Sequence, residues 1–149
     1  MSDPMAYDTL DPADRAALTA LCMEYCWRVD FGHAERVPEL FTEDCLWVAP
    51  PGAAVGGSVS GMVQMIDHWK RRAQVRVTTR HLLTNLRFVM DGADAARGWI
   101  SLIVYVAHES APKTSTPQIV ADYLDTYARG ADGRWRIRTR HIHTVFGAL

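Results

Sequence analysis

The residues best able to do chemistry in this sequence sit in segments that read as strands. In Arg80–Phe88, RHLLTNLRF, the side chains of His81, Leu83 and Asn85 share one face, because alternate strand residues point the same way. An imidazole and an amide on a half-buried face are either satisfied structural polars or groups that look into a cavity. The imidazole, with an ordinary pKa near 6.5, can take a proton near neutral pH, as a general base must. Further candidates lie elsewhere. Asp30 stands near Gly32, where a helix would stop, and Tyr25 sits on that helix's apolar stripe. The alternating Arg134, Arg136, Arg138 and Arg140 precede His141-x-His143. On a straight strand Arg140 shares a face with Arg136 and Arg138, opposite Trp135 and Ile137; a β-bulge before it would turn it inward.

Positioning these groups requires elements that the pattern supplies. Asp11 can cap a helix with Pro12 at its first position and Asp14 in its first turn. Leu18, Leu21, Cys22, Tyr25, Cys26 and Val29 then follow the spacing of one apolar stripe, and Gly32 is a stop. A short helix is expected around Pro38–Phe41, a short strand at Cys45–Ala49, and a loop at Pro50–Gly61. Ser60 can cap a third helix running to about Arg72, with Val63, Ile66 and Trp69 facing inward. From there the character is β: Arg76–Met90, Ala95–Ser110, Pro117–Gly130 and Arg134–Phe146 are long strand candidates separated by turn signals such as Asp91-Gly92 and Asp132-Gly133. Helices first and hairpin-linked strands later predict an α+β domain with a mostly antiparallel sheet. Residues 1–149 read as one domain, with 1–10 as a flexible arm.

Composition excludes several classes. Apolar residues are 48% and charged residues 22% of the 149, which is globular, and a net charge of -1 offers no general attraction to nucleic acid or acidic membranes. The arginine ribbon is more simply explained by cross-strand pairing with Asp122 and Asp125 than by phosphate binding. No apolar run is long enough for a transmembrane helix, and the acidic N-terminus lacks a secretory h-region, so a cytoplasmic protein is expected. Cys22, Cys26 and Cys45 read as buried small hydrophobes. With no Gly-rich phosphate loop and no third ligand beside His141 and His143, no cofactor and no metal are expected. Strands such as Arg97–His108 are apolar on both faces, with Trp99, Ser101, Ile103 and Tyr105 on one. Helices can cover only one face, so the outer one is expected to join subunits of a homodimer or homotrimer.

Four landmarks in order, Tyr25-x4-Asp30, LFTEDCLWVAP at Leu40–Pro50, RHLLTNL at Arg80–Leu86, and YLDTYARGADGRWRI from Tyr123 leading to Arg140, resemble the SnoaL-like branch of the nuclear transport factor 2-like family. The resemblance implies a cone-shaped, curled sheet around a pocket covered by three N-terminal helices. In family members that eliminate water or halide, an aspartate on the first helix pairs with a histidine on the first long strand, here Asp30 and His81. A dehydratase member carries a tyrosine where Tyr25 stands, and a late-strand arginine matches Arg140. The expected activity is therefore a cofactor-independent elimination from a small apolar cyclic or aromatic molecule. His81 would be its base, Asp30 its support, and Tyr25 with Arg140 would handle the departing group. Trp47 and Asn85 are expected to touch substrate. Tyr105 or His108 would answer to a second polar pocket group in one member. Ala49 stands where isomerase-like members place an aspartate base. A polyketide-type cyclase, or a non-catalytic subunit like that of ring-hydroxylating dioxygenases, is the alternative.

Overall fold

The computed structural model describes residues 10–50, 57–108 and 116–147. Helix α1 spans Pro12–Asp30, with Asp11 accepting a hydrogen bond from the Ala13 N–H at 2.8 Å. Its buried residues are those of the expected stripe, Leu18 through Val29, and at about 1.5 Å per residue it is roughly 28 Å long. Gly32, at φ +82, turns the chain in a backbone region that favours glycine. A 3₁₀ turn, Ala34–Leu40, follows. The expected arm lies outside the described residues except for Leu10, which is buried against the core.

Strand β1 is Phe41–Ala49, four residues longer at its start than the reading from Cys45. The expected loop at Pro50–Gly61 contains a short strand, β2, at Gly57–Ser60, paired antiparallel with β1. Helix α2, Gly61–Ala73, starts beside Ser60, whose side chain makes no capping bond. Instead the Gln64 side chain reaches back to accept from the Ser60 N–H at 3.1 Å. The inward face also differs from expectation. Val63 is 78% exposed and Ile66 is exposed, whereas Met65, His68 and Trp69 are buried.

Strands β3 (Val77–Met90), β4 (Ala95–His108), β5 (Ile119–Arg129) and β6 (Trp135–Phe146) complete one open six-stranded sheet in the order β2-β1-β6-β5-β4-β3. All neighbours are antiparallel except β1 and β6. This is the expected α+β architecture, with the three helical segments and a mostly antiparallel sheet that does not close. Leu102, Val104, Ala121, Tyr123 and Ile137 are buried on the inner face. Ile103, expected in the core, is half-buried on the outer one.

Two bulges matter for the site. In β6 the pairing with β5 slips between Ile137 and Thr139, adding one residue at Arg138. Ile137 and Arg140, three apart, therefore both point inward, and both are fully buried. In β3 the pairing with β4 slips between Thr84 and Arg87, and Asn85 sits there with φ +52. That left-handed conformation is one that asparagine tolerates better than most residues.

Candidate active site

Asp30 is the last residue of α1 and meets β3, which is an edge strand of the sheet. An edge strand leaves backbone N–H groups unpaired by the ladder. Asp30 uses one of them: its Oδ2 accepts from the His81 N–H at 2.7 Å. Its Oδ1 accepts from the Thr79 hydroxyl at 2.7 Å and lies 2.6 Å from His81 Nδ1. Thr79 and His81 reach the same carboxylate because alternate strand residues share a face. Burial alone would raise the Asp30 pKa, since only 5% of its side chain is exposed. The bonds and charge of His81, its N–H and the Thr79 hydroxyl outweigh burial and hold Asp30 below the usual carboxylate range. An ionised Asp30 can only accept, so Nδ1 of His81 carries the proton of this bond, and in the neutral ring the lone pair is then on Nε2.

That lone pair belongs to a ring on the wall of a cavity of about 310 Å³ between the sheet and the helices. The wall is largely apolar: Val29, Leu102, Val104, Val106, Ile119 and Ile142 contribute, with Trp47 and Trp69 as large flat surfaces. Tyr25 enters from α1. Its hydroxyl accepts from Trp47 Nε1 at 3.0 Å, which leaves its own proton free to donate. Burial pushes the Tyr25 pKa up to about 12, against the pull of the Arg140 cation, so it stays a hydrogen-bond donor at neutral pH.

The sequence-predicted residues divide clearly. Tyr25, Trp47 and His81 line the cavity, and Asp30 stands behind His81. His108 also lines it, whereas Tyr105 alternates with Val104 and Val106 onto the outer face and does not. Asn85 is exposed, because the bulge at its own position ends the alternation that would have aligned it with His81.

Arg140 is turned inward but is not on the cavity wall. It forms a two-pronged ion pair with Asp125, Nε to Oδ1 at 3.0 Å and Nη2 to Oδ2 at 2.6 Å. Tyr127 donates to the same Oδ2 at 2.6 Å. The guanidinium carbon also lies 4.2 and 4.0 Å from the ring centroids of Tyr25 and Tyr123, whose planes stand nearly perpendicular to each other. Burial pulls its basicity down, but Asp125 more than reverses that, so Arg140 stays charged. The expected cross-strand pairing with Asp125 thus exists, inside the protein, and its contact with the cavity wall runs through Tyr25 and Tyr123.

Three site residues escaped the sequence reading: Thr79, His68 and Arg72. His68 is buried beside Trp47, with ring centroids 4.6 Å apart. Burial, then the nearby Arg71 and Arg72 cations, lower its pKa to about 4, so it is neutral at physiological pH. Among the described residues no group of three or more His, Cys, Asp or Glu side chains converges as a metal site. No helix in them is long and apolar enough to cross a membrane.

The fold is thus an α+β cone around a largely apolar pocket, with His81 on its wall and Asp30 behind it. The family model of the SnoaL-like domain matches residues 11–141, and the chain belongs to that family. That fold family includes dehydratases, a dehydrochlorinase and cyclases. A protein provisionally named a scytalone dehydratase, from Novosphingobium aromaticivorans, is 18% identical, with 90% of this chain and 85% of that one covered and a TM-score of 0.75. A variant of Rv3472, a protein of unknown function from Mycobacterium tuberculosis, is 27% identical over 90% and 77% of the two chains, with a TM-score of 0.74. LinA Type2, a hexachlorocyclohexane dehydrochlorinase, is 23% identical over 90% and 86%, with a TM-score of 0.71. Among curated proteins none matches the sequence significantly.

Proposed function

We propose that the protein is a cofactor-independent lyase that eliminates water, or a comparably small group, from a small, largely apolar cyclic or aromatic molecule. The observation that carries this is the 2.6 Å contact between Asp30 and His81 Nδ1, with the His81 ring on the cavity wall. His81 Nε2 takes a proton from a carbon acidified by a neighbouring carbonyl. The C–H electron pair becomes the new C=C bond as the C–O bond breaks. The departing hydroxide takes the proton that His81 has just accepted and leaves as water, while Tyr25 donates a hydrogen bond to it. Asp30 stabilises the transient imidazolium and holds its tautomer. Such a base contributes roughly 10²–10⁴-fold to the rate, and positioning in a largely apolar cavity supplies further acceleration. Arg140, held by Asp125, is a positioning residue that fixes the Tyr25 ring from behind.

The test is a screen of ring-bearing β-hydroxy ketones, followed by the ultraviolet absorbance of the conjugated enone. Turnover by the wild type that vanishes in His81→Ala, with folding intact by circular dichroism, is the expected result. Undiminished turnover in that variant would overturn the proposal.

A further inference from the structure

Among the described residues, the cavity wall carries one cation without a counter-charge. Among the described residues that line it, Arg72, on α2, is the single lysine or arginine, and none is an aspartate or glutamate. Arg72 is partly buried and, among the described residues, has neither an ion pair nor a hydrogen bond to a side chain or carbonyl. Other part-buried or buried arginines behave differently. Arg28 bonds Glu24 and Glu39, Arg129 bonds Asp14 and Asp94, and Arg140 bonds Asp125. Asp30, the nearest carboxylate in effect, has its oxygens engaged by Thr79 and by the ring and N–H of His81. Burial accordingly lowers the Arg72 pKa, and the fields of Tyr25 and Asp30 offset this only in part.

From this geometry we infer that Arg72 is the anion-binding residue of the cavity, and that the ligand is a small ring-bearing carboxylic acid whose carboxylate it holds. The inference rests on the elimination reading for what happens to that acid, but not for the binding itself. A planar guanidinium offers paired donors that match a carboxylate, and such charge-assisted bonds are about twice as strong as neutral ones. A monoanion suits the site better than a phosphate. One cation in a largely apolar cavity near the lower end of the usual ligand-pocket range compensates one charge and not two. Arg72 therefore fixes which end of the molecule lies at α2 and so which carbon is offered to His81 on β3.

Calorimetric binding of 2-naphthoate, of its neutral isostere 2-naphthamide and of 2-naphthyl phosphate to the purified protein tests this. The wild type should bind the carboxylate at least tenfold more tightly than the amide. Arg72→Met should abolish that preference and Arg72→Lys should keep part of it, and His81→Ala should leave it in place. Equal affinity for acid and amide in the wild type overturns the inference. So does a preference that survives in Arg72→Met, tighter binding of the phosphate, or no measurable binding of the acid at millimolar concentration. Because the readout is binding, these results are independent of whether His81→Ala abolishes elimination.

Discussion

Replacing Asp125 with leucine should be among the more damaging single changes outside the hydrophobic core. The side chain of Arg140 is fully buried, and so is that of Asp125. The substitution removes two bonds to the guanidinium and the acceptor of the Tyr127 hydroxyl, and leaves a cation between two tyrosine rings with no counter-charge. Breaking a buried pair from one side costs about 3–5 kcal/mol, because the remaining charge is stranded. For a domain of this size that is a fall in Tm of roughly 10 °C. Removing both charges together, as Asp125→Leu with Arg140→Met, should recover much of the loss, since burying an ion pair gains little over packed apolar groups. Urea unfolding of the wild type, both single variants and the double variant closes the cycle. A cost below about 1 kcal/mol for Asp125→Leu, or a double variant no more stable than the single ones, would refute the view of this pair as a buried clamp.

The pKa of His68 near 4 when folded lies below its ordinary 6.5, so the unfolded chain binds the extra proton first. Stability is therefore complete above about pH 6.5 and falls as the pH drops towards 4, by at most about 3 kcal/mol from this group; His68→Phe should flatten that part of a Tm-versus-pH curve. Tyr25→Phe strands the Trp47 N–H that it accepts, which should cost about 1–3 kcal/mol in urea unfolding and slow elimination without weakening naphthoate binding. The half-buried outer face around Trp99, Ile103 and Tyr105 we propose to be a contact between copies of the chain. Light scattering should give a dimer or trimer at micromolar concentration and a smaller species for Ile103→Asp; a monomeric wild type would contradict this.

How far the sequence reveals the structure depends on whether a residue's environment follows from its own periodicity. Helix α1 was legible because its buried positions are apolar and recur at helical spacing. Helix α2 was legible in its extent and in Trp69, but not in the rest of its inward face. Its inward stripe, Met65, His68, Trp69 and Arg72, has the right spacing but contains an imidazole and a guanidinium because it faces a cavity. Exposed Val63 and Ile66 mimic a stripe on the wrong side. Strand β2, GSVS, is too short and too poor in strand formers to stand out from a loop. In β3, alternation places Thr79 and His81 correctly but fails at Asn85, where a bulge resets the faces. Arg140 could be read as inward only on condition of a bulge, since bulges leave no firm mark in composition. Asp30 and His81 are 51 residues apart, and no local pattern joins them; the family resemblance did.

The central claim is that His81, supported by Asp30, takes a proton from carbon, and this can be measured without knowing the leaving group. In deuterium oxide, proton NMR follows loss of the acidic C–H signal of 1-tetralone, a bicyclic ketone of a kind the apolar cavity suits. The wild type should accelerate this exchange well beyond buffer. His81→Ala should lose roughly 10²–10⁴-fold of the protein-catalysed rate, and Asp30→Asn should lose nearly as much. Exchange by His81→Ala at the wild-type rate would contradict the account.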